Sequence, residues 1–189
     1  MTSKTSISPS LKWMMLSQST MNFGAGVVFP FYLIFIKEIG GDFTEFGIAY
    51  GLFTLFSAYL NRVFGASSDR YGRKAFLLAG AWGTASLFLL FPIITSIWQV
   101  YVLQIALGTF GAMQKTCEKA FIADMTEGKQ RGELIGRYQF GVSLFSGAAV
   151  IIGGVFIDFF TLDLIFYLGS VVLFCSGLML IRVQEIKGN

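Results

Sequence analysis

The feature that most constrains this chain is a run of 40 residues, from Ala75 to Gln114, without one charged side chain. A transmembrane helix needs about 20 mainly apolar residues, so this run suffices for two crossings. Pro92, followed by Ile93, Ile94, Thr95 and Ser96, breaks it into two helices joined by a tight turn. Shorter apolar runs flank it on both sides, and together they predict helices over 13–36, 46–66, 75–94, 97–122, 137–157 and 163–181. The expected fold is an all-α integral membrane protein of six transmembrane helices. Residues 1–12 form a segment before the bundle at 13–181, and residues 182–189 form a tail after it. The first helix does not read as a cleaved signal peptide, because its apolar run is long, contains Gln18 and Asn22, and lacks an A-x-A site.

Composition narrows the function classes. Charged residues make up 13% of the chain, against about a quarter in soluble domains. There is no histidine, and the two cysteines, Cys117 and Cys175, lie inside apolar runs. That excludes a histidine-based active site, the usual zinc site and a disulfide scaffold. No GxxxxGK[ST] motif occurs, so a P-loop ATPase is not supported. No enzyme activity, cofactor or metal is expected.

The cations set the orientation. Lys4 and Lys12 precede the first helix, and Arg70, Arg73 and Lys74 sit between the second and third. Lys129, Arg131 and Arg137 connect the fourth to the fifth, and Arg182 and Lys187 follow the sixth. These are ten of the 14 lysines and arginines. The opposite side carries Lys37 alone, with Glu38, Asp42, Glu45, Asp158 and Asp163. Both termini are therefore expected in the cytoplasm. The net charge of +3 reflects positive-inside loops and not a nucleic-acid-binding face.

An internal repeat is also visible. A shift of 89 residues brings Leu55-Phe56-Ser57 onto Leu144-Phe145-Ser146, Gly65 onto Gly154 and Asp69 onto Asp158. Each segment is the middle helix of a three-helix set and ends in Gly-x-x-x-Asp. Three crossings separate them, so the two ends face opposite sides, the pattern of two inverted three-helix repeats found in many secondary transporters. Two unrelated helices with small-residue ends would give a similar match.

The most informative stretch is Gly65-Ala66-Ser67-Ser68-Asp69-Arg70-Tyr71-Gly72-Arg73-Lys74. One glycine closes a helix, Gly72 permits the turn, and Asp69 stands among three cations, able to pair with an arginine of a neighbouring element. Such an array can hold helical bodies together and release them. The stretch resembles the G-x-x-x-D-[RK]-x-G-[RK]-[RK] signature of the major facilitator superfamily, in the loop where that family has it. Asp124 and Arg131-Gly132 resemble that family's D-x(6)-R-G stretch. The resemblance implies half of a major facilitator fold. It further implies a charge relay of Asp69, Arg73, Asp124 and Arg131, and a cytoplasmic latch built on Gly65, Asp69, Arg70, Gly72, Arg73 and Lys74. A tight basic loop that merely obeys the positive-inside rule is the plainer reading.

The chain also departs from that family. Members usually have twelve helices, and six are read here. Gln104-Ile105-Ala106-Leu107-Gly108 stands where many relatives have Arg-x-x-x-Gly, and Val150 stands where the antiporter signature has proline. Export by antiport is therefore not indicated.

Ionisable groups at membrane depth are functional candidates. On the fourth helix Gln104, Gly108, Gly111, Lys115, Glu118 and Lys119 fall within an arc of roughly 100°. Lys115 lies roughly 13 Å inward from Asp124, and Glu118 is placed to pair with it. The first helix adds Gln18 and Asn22. Gln18, Asn22, Gln104, Lys115 and Glu118 are thus the candidate residues for a solute or coupling ion, and a structural ion pair is the alternative for Lys115 and Glu118. The expected function is movement of a small solute across a lipid bilayer, the plasma membrane, by alternating access. A second six-helix body is required, from a homodimer, another chain or a missing C-terminal half. A non-transporting scaffold or regulatory module, or a fragment of a twelve-helix transporter, is the rival reading.

The orientation is open to direct test. In a background lacking Cys117 and Cys175, single cysteines replacing Asp42 and Asp163 should react with an impermeant maleimide on intact cells. Labelling of cysteines at Ser3 or Asn189 under the same conditions would reverse the assignment.

Overall fold

The computed structural model describes residues 8–126 and 131–184. Lys4, Lys129 and Lys187, counted above for orientation, lie outside the described residues. The architecture is helical, with no strand among the described residues. The helices are α1 (Pro9–Val28), α2 (Tyr32–Glu38), α3 (Phe43–Tyr71), α4 (Arg73–Phe88), α5 (Ile97–Met125), α6 (Arg131–Phe159) and α7 (Leu162–Ile181).

Their ends follow capping chemistry and not the limits of the apolar runs. α1 starts before Lys12, because the Ser8 hydroxyl accepts from the Leu11 N–H at 3.3 Å and Pro9 sits where a missing N–H does no harm. Asp42 caps α3, accepting from the Thr44 N–H at 2.8 Å, while the Glu45 carboxylate accepts from the Asp42 N–H at 3.1 Å. Gln99 plays the second part at the start of α5, accepting from the N–H groups of Thr95 and Ser96. Gly72 closes α3 and opens α4 with φ +93°, a conformation that side chains with a Cβ rarely adopt.

Two prolines shape the crossings. Phe91–Ile93 forms a short 3-10 turn after α4, and Ile94 is extended, so the expected break at Pro92 is present. The expected continuous first helix is instead interrupted. Phe29–Phe31 forms another 3-10 turn, since Pro30 has no N–H to donate and its ring crowds the preceding turn. The chain resumes as α2, which buries Tyr32, Phe35 and Ile36.

Among the described residues, five segments are long and apolar enough to cross a membrane: Pro9–Glu38, Phe43–Tyr71, Arg73–Ile93, Arg131–Phe159 and Leu162–Ile181. With 29 residues α5 is as long as α3 and α6, but Gln99, Gln104 and Gln114 make its charge-free part less apolar. The principal packing partners are α3 with α5, α5 with α4, α4 with α7, α7 with α1, and α1 with α6. The order α3–α5–α4–α7–α1–α6 is unchanged when the first three crossings are exchanged with the last three. α3 and α6 stand at its two ends and bury least of their surface.

The core has two parts. At one end Phe35, Phe88, Phe91 and Phe166 interlock with Tyr32, and the Phe91 and Phe166 rings stack at 4.6 Å. At the other, Leu11, Met14, Leu77, Cys117, Phe121 and Tyr138 pack together. Close helix contacts rest on small residues. A Cβ on Gly108 would lie 2.7 Å from the Phe53 carbonyl oxygen, so α5 meets α3 only because that position is glycine. By contrast, a Cβ on Gly147 of α6 meets nothing within 4 Å.

These two glycines predict opposite outcomes. Gly108→Val should force α5 from α3, destabilising the bundle by about 1–3 kcal/mol. Gly147→Ala should be neutral or stabilising by up to about 1 kcal/mol through helix propensity. Thermal unfolding of the detergent-solubilised chain distinguishes them: the first transition should fall by several degrees and the second should not.

Candidate functional site

The geometry of the Gly65–Lys74 stretch begins with its backbone. α3 ends and α4 begins at Gly72, and this turn brings Asp69, in the last turn of α3, beside Arg73, the first residue of α4. Arg73 Nη2 lies 3.0 Å from Asp69 Oδ1, and Nη1 lies 2.6 Å from Asp124 Oδ2 at the end of α5. One guanidinium thus ties the ends of three helices together. Its side chain is only 18% exposed, while Asp69 and Asp124 are 65% and 47% exposed, so water screens both carboxylates. Each pair is then worth on the order of 0.2–1 kcal/mol.

The other residues of the stretch take different parts. Lys74 Nζ donates to the carbonyls of Ile181 and Val183 at 2.6 and 2.7 Å, closing the C-terminal end of α7. Arg70 lies over the Tyr71 ring and is exposed. Gly65 passes 3.5 Å from Thr116 as a Cβ would see it, next to a hydrogen bond from the Thr116 hydroxyl to Asn61. Arg131, expected in the relay, opens α6 as an exposed residue and joins no ion pair among the described residues.

The polar residues expected in one cavity are dispersed. Gln18 is buried and its amide donates to Gln114 at 3.3 Å; Gln114 in turn donates to the Leu77 carbonyl at 2.6 Å. This chain of bonds joins α1, α5 and α4. Asn22 donates to the Gln18 carbonyl of its own helix. The expected Lys115–Glu118 ion pair is not formed. Glu118 instead accepts from the Tyr138 hydroxyl at 2.6 Å, linking α5 to α6, while Lys115 is exposed. A short hydrogen bond to a phenol satisfies a half-buried carboxylate without a cation. Of the five candidates, Gln104 lines a cavity of about 210 Å³ walled chiefly by apolar and aromatic side chains.

Gln114 and Tyr138 were missed in the sequence reading. Gln114 lies outside the polar arc of α5, although an amide so deep in an apolar run requires a partner. Tyr138 begins an apolar run, and nothing local marks its contact with Glu118.

These features define a helical membrane protein with a charge-tied loop at the ends of α3, α4 and α5. The family model of the Major Facilitator Superfamily matches residues 14–188, and the chain belongs to that superfamily. It is 46% identical over 162 residues to an uncharacterized MFS-type transporter, YitZ, of Bacillus subtilis (strain 168), a match covering 86% of this chain and 99% of that relative. It is 32% identical over 170 residues to the multidrug resistance protein MdtG of Proteus mirabilis (strain HI4320), 86% of this chain and 42% of that protein. With the class H tetracycline resistance protein of Pasteurella multocida it shares 30% identity over 129 residues, 66% of this chain and 32% of that protein. The chain thus spans nearly all of YitZ and less than half of the drug-resistance relatives.

The Arg73 cluster makes a graded prediction. In a Cys175→Ser background, buried Cys117 reports opening of the packed end nearby. Asp124→Asn, which removes the shorter and less exposed pair, should speed maleimide modification of Cys117 about two- to fivefold. Asp69→Asn should speed it less. Equal, unchanged rates for both variants would make the loop a topological signal alone.

Proposed function

We propose that the chain is one six-helix body of a secondary transporter in the plasma membrane, built as two inverted three-helix repeats with both termini cytoplasmic. It moves a small solute by alternating access against a second six-helix body. The observation that carries the reading is the packing order, which is unchanged on exchange of the two halves and leaves α3 and α6 at its ends with large apolar faces. Tyr59 and Leu55 on α3, and Phe140 and Leu144 on α6, are among the most exposed apolar side chains.

A second copy related by a parallel two-fold axis sets α3 of one protomer against α6 of the other and encloses Lys115 and Glu118 between the bodies. Without it, Lys115 faces lipid at depth, an expensive arrangement. The Arg73 cluster then acts as the cytoplasmic latch, with Asp69 the residue exposed enough to exchange partners as the bodies rock. The relatives named for multidrug and tetracycline resistance make tetracycline and ethidium suitable first probes of the solute.

The test uses proteoliposomes holding the chain alone. Saturable flux of tetracycline or ethidium is expected, abolished by Lys115→Leu with Glu118→Leu while insertion is kept. Cysteines replacing Tyr59 and Leu144, each about 18–20 Å from the Tyr71 and Arg131 helix ends, should crosslink two copies in a background lacking Cys117 and Cys175. A monomer at every protein-to-lipid ratio would overturn self-pairing and leave the second body to another chain.

A further inference from the structure

Apart from Gln104, the alternating-access reading uses none of the residues lining the half-open cavity of about 210 Å³ within this one bundle. Its walls come from α1, α2, α3, α4, α5 and α7, so it belongs to the body itself and not to a cleft between two bodies. Phe53, Phe88, Phe91 and Phe166 line it, and its lining carries no formally charged side chain. Phe29, at the 3-10 turn of the first crossing, and Tyr50 of α3 are its exposed members, their rings 5.8 Å apart, and they mark its mouth.

Three polar side chains interrupt the apolar wall, and one of them, Thr84, donates its hydroxyl to the Gly80 carbonyl of its own helix. Tyr32 is 4% exposed, and its hydroxyl is paired with the Gln104 side chain. Gln104, 5% exposed, lines the same cavity from α5 beside that hydroxyl. A phenylalanine would fill the same space, so what Tyr32 adds to the wall is a hydroxyl donor set beside the Gln104 amide. A dry cavity of about 150 Å³ takes up benzene, so this one has room for a fused two-ring aromatic.

We infer that the bundle holds a ligand site of its own, in which the aromatic cavity takes a small neutral aromatic molecule and its single hydroxyl or ring N–H bonds to Tyr32 and Gln104. The flat ring stacks or meets edges with the phenylalanines, whose walls offer nothing to an ion. The absence of charged lining residues excludes carboxylates and quaternary amines as good ligands.

The probe is 1-naphthol, compared with 1-methylnaphthalene of nearly the same size, for the chain in nanodiscs against empty nanodiscs. The chain should bind 1-naphthol at one saturable site, about tenfold more weakly in Tyr32→Phe. Binding of 1-methylnaphthalene should be the same in both. Ala25→Leu, which fills the cavity, should abolish binding of either probe. Should Ala25→Leu fail to fold, Tyr32→Phe carries the test, since it removes one oxygen and no packing volume. Uptake equal to that of empty nanodiscs, or saturable 1-naphthol binding unaltered by Tyr32→Phe, would overturn the site. Neither variant touches Lys115 or Glu118, and the measurement needs no gradient or second body. Its failure is therefore distinct from a failure of transport.

Discussion

An amide or hydroxyl carried into hydrocarbon finds no water, and the whole bundle is arranged around that fact. Backbone groups are satisfied inside the helices; side-chain groups must find partners across them. Gln18, Gln114 and the Leu77 carbonyl form such a sequence through the middle of the bundle. Ser17 donates to the Ser176 carbonyl at 2.8 Å, and Ser170 to the Ala85 carbonyl at 2.7 Å. The two serine bonds join neighbours in the packing order, α1 to α7 and α7 to α4. The hydrophobic effect does not distinguish one apolar neighbour from another in lipid, so such bonds and close glycine contacts select which helices meet.

The same requirement explains where the structure yields. Pro30 removes a donor from the first crossing, and the 3-10 turn re-pairs the chain at the level of the phenylalanine cluster. The turn also places Phe29 at the surface and Tyr32 within. Trp82 shows the opposite solution: it stacks on Phe174 and its indole N–H reaches the Phe174 carbonyl at 3.4 Å, so a side chain suited to an interface is held by a neighbouring helix.

Much of this was legible from charge and hydropathy alone. Uncharged runs located the helices, and Pro92 marked its turn, because both signals are local. The Gly65–Lys74 stretch was legible through its resemblance, and Asp69, Arg73 and Asp124 do come together. What depended on long-range packing was not legible. Helical spacing placed Glu118 near Lys115, yet the bond goes to Tyr138, 20 residues on. Gln18 and Asn22 were read as facing a cavity because polarity at depth suggests function, whereas one joins a structural bond network and the other its own backbone. Helix starts shifted toward the caps at Ser8 and Asp42, since capping is decided by hydrogen bonds and not by hydropathy.

The bond from Lys74 to the end of α7 has a consequence in time. Its acceptors, Ile181 and Val183, are 107 and 109 residues further along the chain. At about 5–20 residues per second, the ribosome needs roughly 5–20 s to make that stretch. Throughout that interval α4 lacks its neighbour α7 in the packing order. The last turn of α7 is what holds the start of the third crossing, so α4 gains this contact only when α7 has been made, and not when α4 itself inserts.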